Sequence, residues 1–533
     1  MTNPTDIPIL KSKVIKDEAY DKNYKEMLSM ISTLNDRLSK ATEQGDEKAI
    51  KQHLKRGQLL VRDRIDLLLD EDSPFLELCP LAGWNQKDMT LGGSIVAGIG
   101  LVCGVECLIT GNVPTLFGGS SNEISVAKGA RIAAIAKENN LPFIQLIQTG
   151  GAKLDQQSKV FHPGGGQFRM LAQRTKLNLP TCSVVFGSST AGGAYTPALS
   201  DYIIMVKNQA QVFLGGPPLV QMAIGEKVDA ESLGGGDMHS RKSGVSDQLA
   251  LDEYDAIKKA REFIGRLNWQ KKGKIPATHL LPKIEEPLYD IDELLGIVST
   301  NIRIPFDANE VITRIVDGSK FMVFKPLYGP NIITGWAYIH GFQVGIIANN
   351  NVIFMQEANK ATQFIRLCNM MNVPLLFLQN TTGFMVGKEY EEKGIIKAGA
   401  HFVNAVSNSQ VPAITIMMGA SYGAGNYAMC GRAYNPSKCS VMGPDQLIGV
   451  MDIIMREAAD RVGKPVNEKL VAERNKVLRS IVENESDVYW TSSRLLDDGI
   501  IDPRMTRVIL GFCLSIVYNE KVEGGNLAGA SRM

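Results

Sequence analysis

The sequence predicts an α/β protein in which one unit occurs twice. Three observations support this: a gap-free internal repeat, apolar runs that switch between helical and strand spacing within each copy, and glycine turns following the strands at matching places. Lys128 to Tyr195 aligns with Lys360 to Tyr427 at a constant offset of 232, and Gly104 to Asn112 aligns with Gly341 to Asn349 at an offset of 237. A period this long exceeds the roughly 20–50 residues of a solenoid repeat, so a whole domain is duplicated. Two domains of similar size also fit a chain of 533 residues.

In chain order, residues 1–60 form a helical N-terminal extension. They are rich in Lys, Asp and Glu and carry Met27, Met30, Ile31, Leu34 and Leu38 at helical spacing, the pattern of solvated helices. Residues 61–270 are the first copy. There Ile124, Ile132, Ile135 and Ala136 share a helix face ahead of Asn140-Leu-Pro142, the apolar run Phe143 to Ile147 and the turn Thr149-Gly-Gly151. A second strand after Pro180 ends in Gly187-Ser-Ser-Thr-Ala-Gly-Gly-Ala-Tyr195. Residues 271–289 form a basic, proline-containing linker. Residues 290–510 repeat the order: Ala361, Ile365 and Cys368 on one helix face, then Leu375 to Leu378, Thr381-Thr-Gly383, Pro412 and Gly419-Ala-Ser-Tyr-Gly-Ala-Gly-Asn-Tyr427. Residues 511–533 are a tail.

The chain is 44% apolar and 21% charged with a net charge of +1, which gives no electrostatic footprint for nucleic acid or an anionic membrane. The apolar stretch Ser94 to Val105 is well short of the roughly 18 residues of a membrane span. Met1 to Leu10 resembles neither a secretory signal nor a transit peptide, so a cytoplasmic location is expected, or the mitochondrial matrix if the protein is eukaryotic and processed. Eight cysteines are scattered, mostly in apolar runs, as buried thiols in a reducing compartment would be. Cys103 and Cys107 are four residues apart without a second Cys/His pair nearby, so no metal site is expected.

The chemistry is expected in the glycine turns. Small residues let a ligand carbonyl approach the backbone, and free N–H groups at a helix start point toward developing negative charge. That is what an oxyanion hole requires. One such loop could be only a tight turn in a packed core, but its duplication at a fixed offset favours the functional reading. Gly419-Ala-Ser-Tyr-Gly423 matches the elbow of serine hydrolases, yet none of the six histidines follows Ser421 to complete that triad. His162, beside Pro163-Gly-Gly-Gly166, reads as an incidental loop histidine. Neither HExxH nor a P-loop is present.

At these residues the chain resembles the carboxyltransferase (β) subunit of biotin-dependent acyl-CoA carboxylases over roughly residues 60 to 510. The matching segments are Arg64-Ile-Asp-Leu-Leu-Leu69, Ser73-Pro-Phe-Leu-Glu77, Thr190-Ala-Gly-Gly-Ala-Tyr195, Leu233-Gly-Gly235, Val316-Asp-Gly-Ser319, Phe377-Leu-Gln-Asn-Thr-Thr-Gly-Phe-Met-Val-Gly387, Tyr422-Gly-Ala-Gly425 and Asp498-Gly-Ile-Ile-Asp-Pro503. Gly216-Pro-Pro218, Phe384-Met-Val-Gly387 and Gly425-Asn-Tyr-Ala-Met-Cys-Gly431 are closer to the methylcrotonyl-CoA and geranyl-CoA branch than to the propionyl-CoA branch.

The resemblance implies two tandem crotonase-like domains, with acyl-CoA on the first and carboxybiotin on the second. In this family the site lies between the N-domain of one subunit and the C-domain of its neighbour, within a hexamer built from dimers. A partner (α) subunit supplies biotin carboxylase and biotin carboxyl carrier functions, in keeping with the lack of an Ala/Val-Met-Lys-Met sequence here. Carried over by motif, Gly192 and Gly193 hold the thioester oxygen as the enolate forms, and Ala424 and Gly425 hold the biotin ureido oxygen. Gly150, Gly151, Ala152, Ala191, Ala194 and Tyr195 complete the acyl-CoA side. Thr382, Gly383, Phe384, Tyr422 and Gly423 complete the biotin side. Biotin itself takes the substrate proton in this scheme, so no side-chain triad is needed.

Three departures stand out. Relatives read Asp-Ser-Gly-Gly-Ala-Tyr where this chain has Gln148-Thr-Gly-Gly-Ala-Lys153, and the following loop Phe161-His-Pro-Gly-Gly-Gly166 is unusual, which leaves the acyl group open. An aromatic-rich strand expected after Pro436 is shortened, and Pro444-Asp-Gln446 replaces Gly-Glu-Gln. The expected function is CO2 transfer from carboxybiotin to 3-methylcrotonyl-CoA or a related branched enoyl-CoA. Open alternatives are another acyl-CoA such as propionyl-CoA, a biotin-linked decarboxylase and a non-catalytic assembly homologue.

Overall fold

The computed structural model describes residues 7–273, 284–301, 304–350, 352–432 and 487–525, with isolated helical residues between 469 and 485. The shortened segment after Pro436, Cys439 and Pro444-Asp-Gln446 lie outside the described residues. The chain divides into two compact units. The first unit takes Asn35–Lys272 with Ser492–Leu495; the second takes the residues before Asn35, those from Gly273 to Thr491 and those from Leu496 onward.

In the first unit the strands β1 (Phe75–Glu77), β2 (Ile95–Val102), β3 (Val105–Asn112), β4 (Phe143–Thr149), β5 (Thr181–Thr190), β6 (Tyr202–Val206), β7 (Gln211–Phe213) and β8 (Gln248–Ala250) make one sheet in the order β1-β2-β3-β4-β5-β6-β8, with β7 also on β5. Pairing is antiparallel up to β3 and parallel from there. Parallel strands buried on both faces read as continuous apolar runs, and Phe143, Ile144, Leu146 and Ile147 are all buried. Helix Glu123–Glu138 buries the face predicted for it, Ile124, Ile132, Ile135 and Ala136, and packs against helix Gln157–Lys176.

The second unit repeats this plan. Strands β9 (Met322–Val323), β10 (Ile332–Ile339), β11 (Phe342–Asn349), β13 (Leu375–Thr381) and β15 (Ala413–Ser421) are ordered β15-β13-β11-β10-β9, and β12 (Val352–Ile353) pairs with β14 (Gly383–Phe384). Leu108 faces Phe143 across β3 and β4, and Gly345 faces Leu375 across β11 and β13, so both offsets hold in the strand register. Both copies bulge at the same place, between Ile147 and Thr149 in the first and between Gln379 and Thr381 in the second.

Two buried polar devices are also duplicated. Lys128 donates to the carbonyls of Gly92 and Ile95 (3.1 and 2.8 Å), and Lys360 donates to those of Gly329 and Ile332 (3.2 and 2.7 Å). Burial lowers the pKa of both ammonium groups, that of Lys360 to about 8. Asp70 accepts the N–H groups of Cys103 and Gly104 at the β2–β3 hairpin and pairs with Arg261 of helix Glu253–Gly265. Asp317 accepts those of His340 and Gly341 at the β10–β11 hairpin and pairs with Arg507 of helix Thr506–Val517.

One expectation fails. Phe161 to Gly166 is not a loop, and His162 is not a loop histidine: both lie inside helix Gln157–Lys176. Interior Pro costs a helix about 3 kcal/mol and each Gly about 1 kcal/mol, so local propensity opposes this segment. Tertiary contacts outweigh it. Val160, Leu171 and Arg174 are buried, and the Arg174 guanidinium donates to the carbonyls of Leu141 and Pro180 (2.7 and 3.2 Å) and to Thr181 Oγ1 (3.2 Å). In the N-terminal extension, helices Glu18–Thr42 and Glu47–Lys55 are mostly exposed, although Ile31 and Leu34 are buried. No helix among the described residues is long and apolar enough to cross a membrane.

Candidate active site

In the first unit the ends of β4 and β5 meet. Thr149 Oγ1 donates to the Gly119 carbonyl (2.8 Å) and accepts the Gly151 N–H (3.1 Å), which folds the chain back at Gly151, φ 95°. A Cβ on Gly151 would lie 3.3 Å from the Thr190 carbonyl oxygen, so the Thr149-Gly-Gly151 turn lies directly against the exit of β5. There the chain enters a 3-10 turn, Ala191–Ala194, that runs into Tyr195–Ala198. Ser189 Oγ donates to the Gly193 carbonyl (2.9 Å), and a Cβ on Gly193 would approach Thr149 Cγ2 to 3.1 Å. Ala191, Gly192 and Tyr195 are exposed, Gly193 is half-buried and Ala194 is buried; Gly150 and Ala152 are exposed at the same rim. Phe168 meets the Tyr195 ring edge-on with centroids 6.0 Å apart.

The second unit builds the matching pair. Thr381 Oγ1 accepts the Gly383 N–H (3.1 Å), with Gly383 at φ 112°, and the Tyr422 N–H donates to the Thr381 carbonyl (3.1 Å). Helix Gly423–Ala428 begins at once, and a Cβ on Gly425 would lie 2.9 Å from both Gly383 Cα and Thr381 Oγ1. Gly383 and Gly425 are buried, Thr382, Phe384, Tyr422 and Gly423 are half-buried, and Ala424 is exposed. Every predicted residue on each side thus falls in one local cluster of its own unit.

Both turns open with no side-chain cap, at Thr190 and at Tyr422. The first N–H groups of a helical turn have no intrahelical acceptor and carry partial positive charge. Pointed at a carbonyl oxygen that gains charge, two such donors form an oxyanion hole, and loss of one typically costs about 2.7–4 kcal/mol of transition-state stabilisation. Ser421 is not a nucleophile of this site. It is buried, and its Oγ accepts the Gln379 and Asn426 side-chain amides, both at 2.8 Å.

Sequence reasoning missed the amides that support the turns. Gln148 crosses Gly187, where a Cβ would come within 2.6 Å of its Nε2, and Asn380 crosses Gly419, where a Cβ would come within 2.6 Å of its Oδ1. Both pairs obey the 232-residue offset, so the repeat itself held the signal.

Residues 52–526 match the family model described as "Carboxyl transferase domain". The chain is 50% identical over 524 residues to a probable biotin-dependent acyl-coenzyme A carboxylase beta2 subunit of Mycobacterium tuberculosis, covering 97% of this chain and 98% of the relative. It is 45% identical to a probable mitochondrial methylcrotonoyl-CoA carboxylase beta chain of Drosophila melanogaster, covering 96% of this chain and 93% of the relative. Among solved structures, the geranyl-CoA carboxylase beta subunit of P. aeruginosa superposes with a TM-score of 0.88 at 38% identity, over 98% of this chain and 99% of the other.

Proposed function

The chain belongs to the carboxyl transferase family and is the carboxyltransferase (β) subunit of an acyl-CoA carboxylase; we propose that it moves CO2 from carboxybiotin, presented by a separate biotin-carrying (α) subunit, to the γ-carbon of a branched enoyl-CoA. The supporting observation is the duplicated pair of turns that open without a side-chain cap, so that the first backbone N–H groups of each are left without an intrahelical acceptor. In this reading Gly192 and Gly193 hold the thioester oxygen while the acyl group loses its γ-proton, so the enolate forms against fixed donors rather than reorganising water. Gly150, Gly151, Ala152, Ala191, Ala194 and Tyr195 shape the rim that receives the acyl-CoA. Ala424 and Gly425 hold the ureido oxygen as CO2 is released, and Thr382, Gly383, Phe384, Tyr422 and Gly423 line that side. The preference for a branched enoyl group rests on relatives named for methylcrotonoyl-CoA and geranyl-CoA, both 3-methyl-2-enoyl thioesters.

We further propose a homo-oligomer, a hexamer built from dimers, whose acyl-CoA and biotin half-sites come from different copies, and a cytoplasmic or matrix location. Incubation of the chain with a biotinylated partner, ATP, labelled bicarbonate and a panel of acyl-CoAs tests the reaction. Label is expected in the 3-methyl-2-enoyl esters; incorporation only into a saturated ester such as propionyl-CoA would overturn the substrate. A fully active monomer would overturn the divided site.

A further inference from the structure

Behind the first turn lies a buried charge pair that the reaction scheme leaves without a role. Arg64 is 0% and Glu253 is 3% exposed. Arg64 Nε and Nη2 each donate to a Glu253 carboxylate oxygen at 2.8 Å. The third arm, Nη1, donates to Gln148 Oε1 at 2.9 Å, and Gln148 Nε2 donates to Gln58 Oε1 at 3.1 Å. The guanidinium lies over the Phe186 ring, 4.2 Å from its centroid, and the Phe186 carbonyl accepts the Gln209 amide at 2.7 Å.

All of these groups converge on the β4–β5 bulge. Ile147 pairs with Val185 and Thr149 with Ser189, so Phe186, Gly187 and Ser188 stand opposite the single residue Gln148. A bulge re-aims the strand that follows it. On one side the next residues are Thr149-Gly-Gly151, and on the other β5 ends at the Ala191–Ala194 turn. The second unit solves the same problem locally: Asn380 Oδ1 accepts the Ala420 N–H at 3.1 Å, directly across its own bulge. In the first unit the amide is instead anchored from outside the sheet by the ion pair, and glycine at 187 leaves the space it needs.

We propose that Gln148, held across Gly187 by the Arg64–Glu253 pair, is a positioning residue for the acyl-CoA half-site that sets the direction of the Gly192 and Gly193 N–H groups. It acts through the bulge and does not touch substrate. The inference rests on the functional reading above. It also gives the Asp-to-Gln departure at this position a use: a neutral amide offers Arg64 an acceptor without competing with Glu253 for the charge.

The test is exchange of carboxyl groups between a carboxylated acyl-CoA and free biotin by the full-length oligomer, with thermal midpoints recorded in parallel. Displacement by about 1 Å can cost about 100-fold in rate, so Gln148→Ala is expected to lower kcat by about that factor. The KM for acyl-CoA should stay within about threefold and that for biotin should not change, the pattern of an interaction felt mainly in the transition state. Gln148→Glu is of equal length: protonated, it offers Arg64 the same neutral carbonyl acceptor, and ionised, it competes with Glu253 for the guanidinium, so its kcat should approach that of wild type at acidic pH and fall along an added limb of the pH profile as its carboxyl ionises. That limb tests the proposal even if Gln148→Ala misfolds. Unchanged kcat in Gln148→Ala, a pH profile of Gln148→Glu that parallels wild type, or a loss carried by the biotin KM would each overturn it. If wild-type chain exchanges and Gln148→Ala matches it, only the positioning role falls. If wild-type chain exchanges nothing, the functional reading falls and takes this role with it.

Discussion

After β5 a left-handed backbone falls on Ala191, φ 54°, whereas after β15 the same conformation falls on Gly423, φ 56°. The two residues are equivalent by the 232 offset, yet only glycine adopts this region without steric cost. The first turn is more exposed and is braced by a buried ion pair through Gln148; the second is packed closely around Gly425 and braced by Asn380 on its own backbone. The duplication has kept the geometry of the turns while changing what holds them. Strain and external bracing lie on the proposed acyl-CoA side, where relatives must differ in substrate, and local packing lies on the proposed biotin side, where the group handled is always the same.

The largest effects should come from adding a branched side chain to each turn. Gly193→Val is expected to abolish transfer together with acyl-CoA binding, and Gly425→Val to abolish transfer while calorimetric acyl-CoA binding persists, each a rate loss of at least about 1000-fold. Equal loss of acyl-CoA affinity in both would erase the proposed division. Alanine sharpens the contrast. At 425 the new Cβ meets the Gly383 backbone at 2.9 Å, but at 193 it meets only the Thr149 side chain at 3.1 Å, so Gly425→Ala should be the more damaging.

Next come the hairpin aspartates. Asp317 and Arg507 have side chains 8% and 5% exposed, against 23% and 31% for Asp70 and Arg261. Breaking a buried pair costs about 3–5 kcal/mol, so Asp317→Asn should shift urea unfolding by that much. Asp70→Asn, in the better solvated pair, should cost about 1–2 kcal/mol. Comparable shifts would show that burial does not separate the two copies.

A smaller effect is expected from Lys360. Burial lowers its pKa from 10.5 to about 8, so between those values the unfolded chain holds a proton that the folded chain has released. Its contribution to stability is therefore greatest above pH 10.5 and is lost as pH falls through about 8. The difference in urea midpoint between wild type and Lys360→Met should change across that window and be constant below it. A difference that is flat across the window would contradict the shift. The smallest effect belongs to the left-handed residues. Gly423→Ala meets no atom within 4 Å. It should cost only the conformational penalty of about 1 kcal/mol. In Ala191→Gly the relief of strain and the entropy of glycine nearly cancel, leaving a change of less than about 1 kcal/mol. A larger loss of activity than of stability in either variant would mean that the side chain at this position touches substrate.

Much of the fold was legible because the repeat is rigid. Once Phe143 to Ile147 and Leu375 to Leu378 are read as equivalent buried strands, the helix before each and the turn after each fall at one offset, which the two bulges also obey. The turn residues were legible for the same reason, since glycines at matching places point to a shared backbone requirement. The helix through Phe161 to Gly166 was not, because Pro163 and three glycines oppose it locally and its support comes from Arg174, whose partners lie on other segments. The Arg64 and Glu253 pair was hidden for a similar reason. The two residues are 189 positions apart, and no periodicity within one element reports a contact made by the fold.

Each hairpin aspartate is closed by an arginine far along the chain: Asp70 and Arg261 are 191 residues apart, and Asp317 and Arg507 are 190 apart. During synthesis, therefore, neither half can complete its own clamp until nearly all of that half has left the ribosome. At roughly 5–20 residues per second the wait is on the order of 10–40 s for each half. Through that interval the charged aspartate and two hairpin N–H groups must rely on water, and the apolar strands between them are open to wrong partners. The nascent first half should accordingly depend most on chaperones just before Arg261 emerges, and the second just before Arg507.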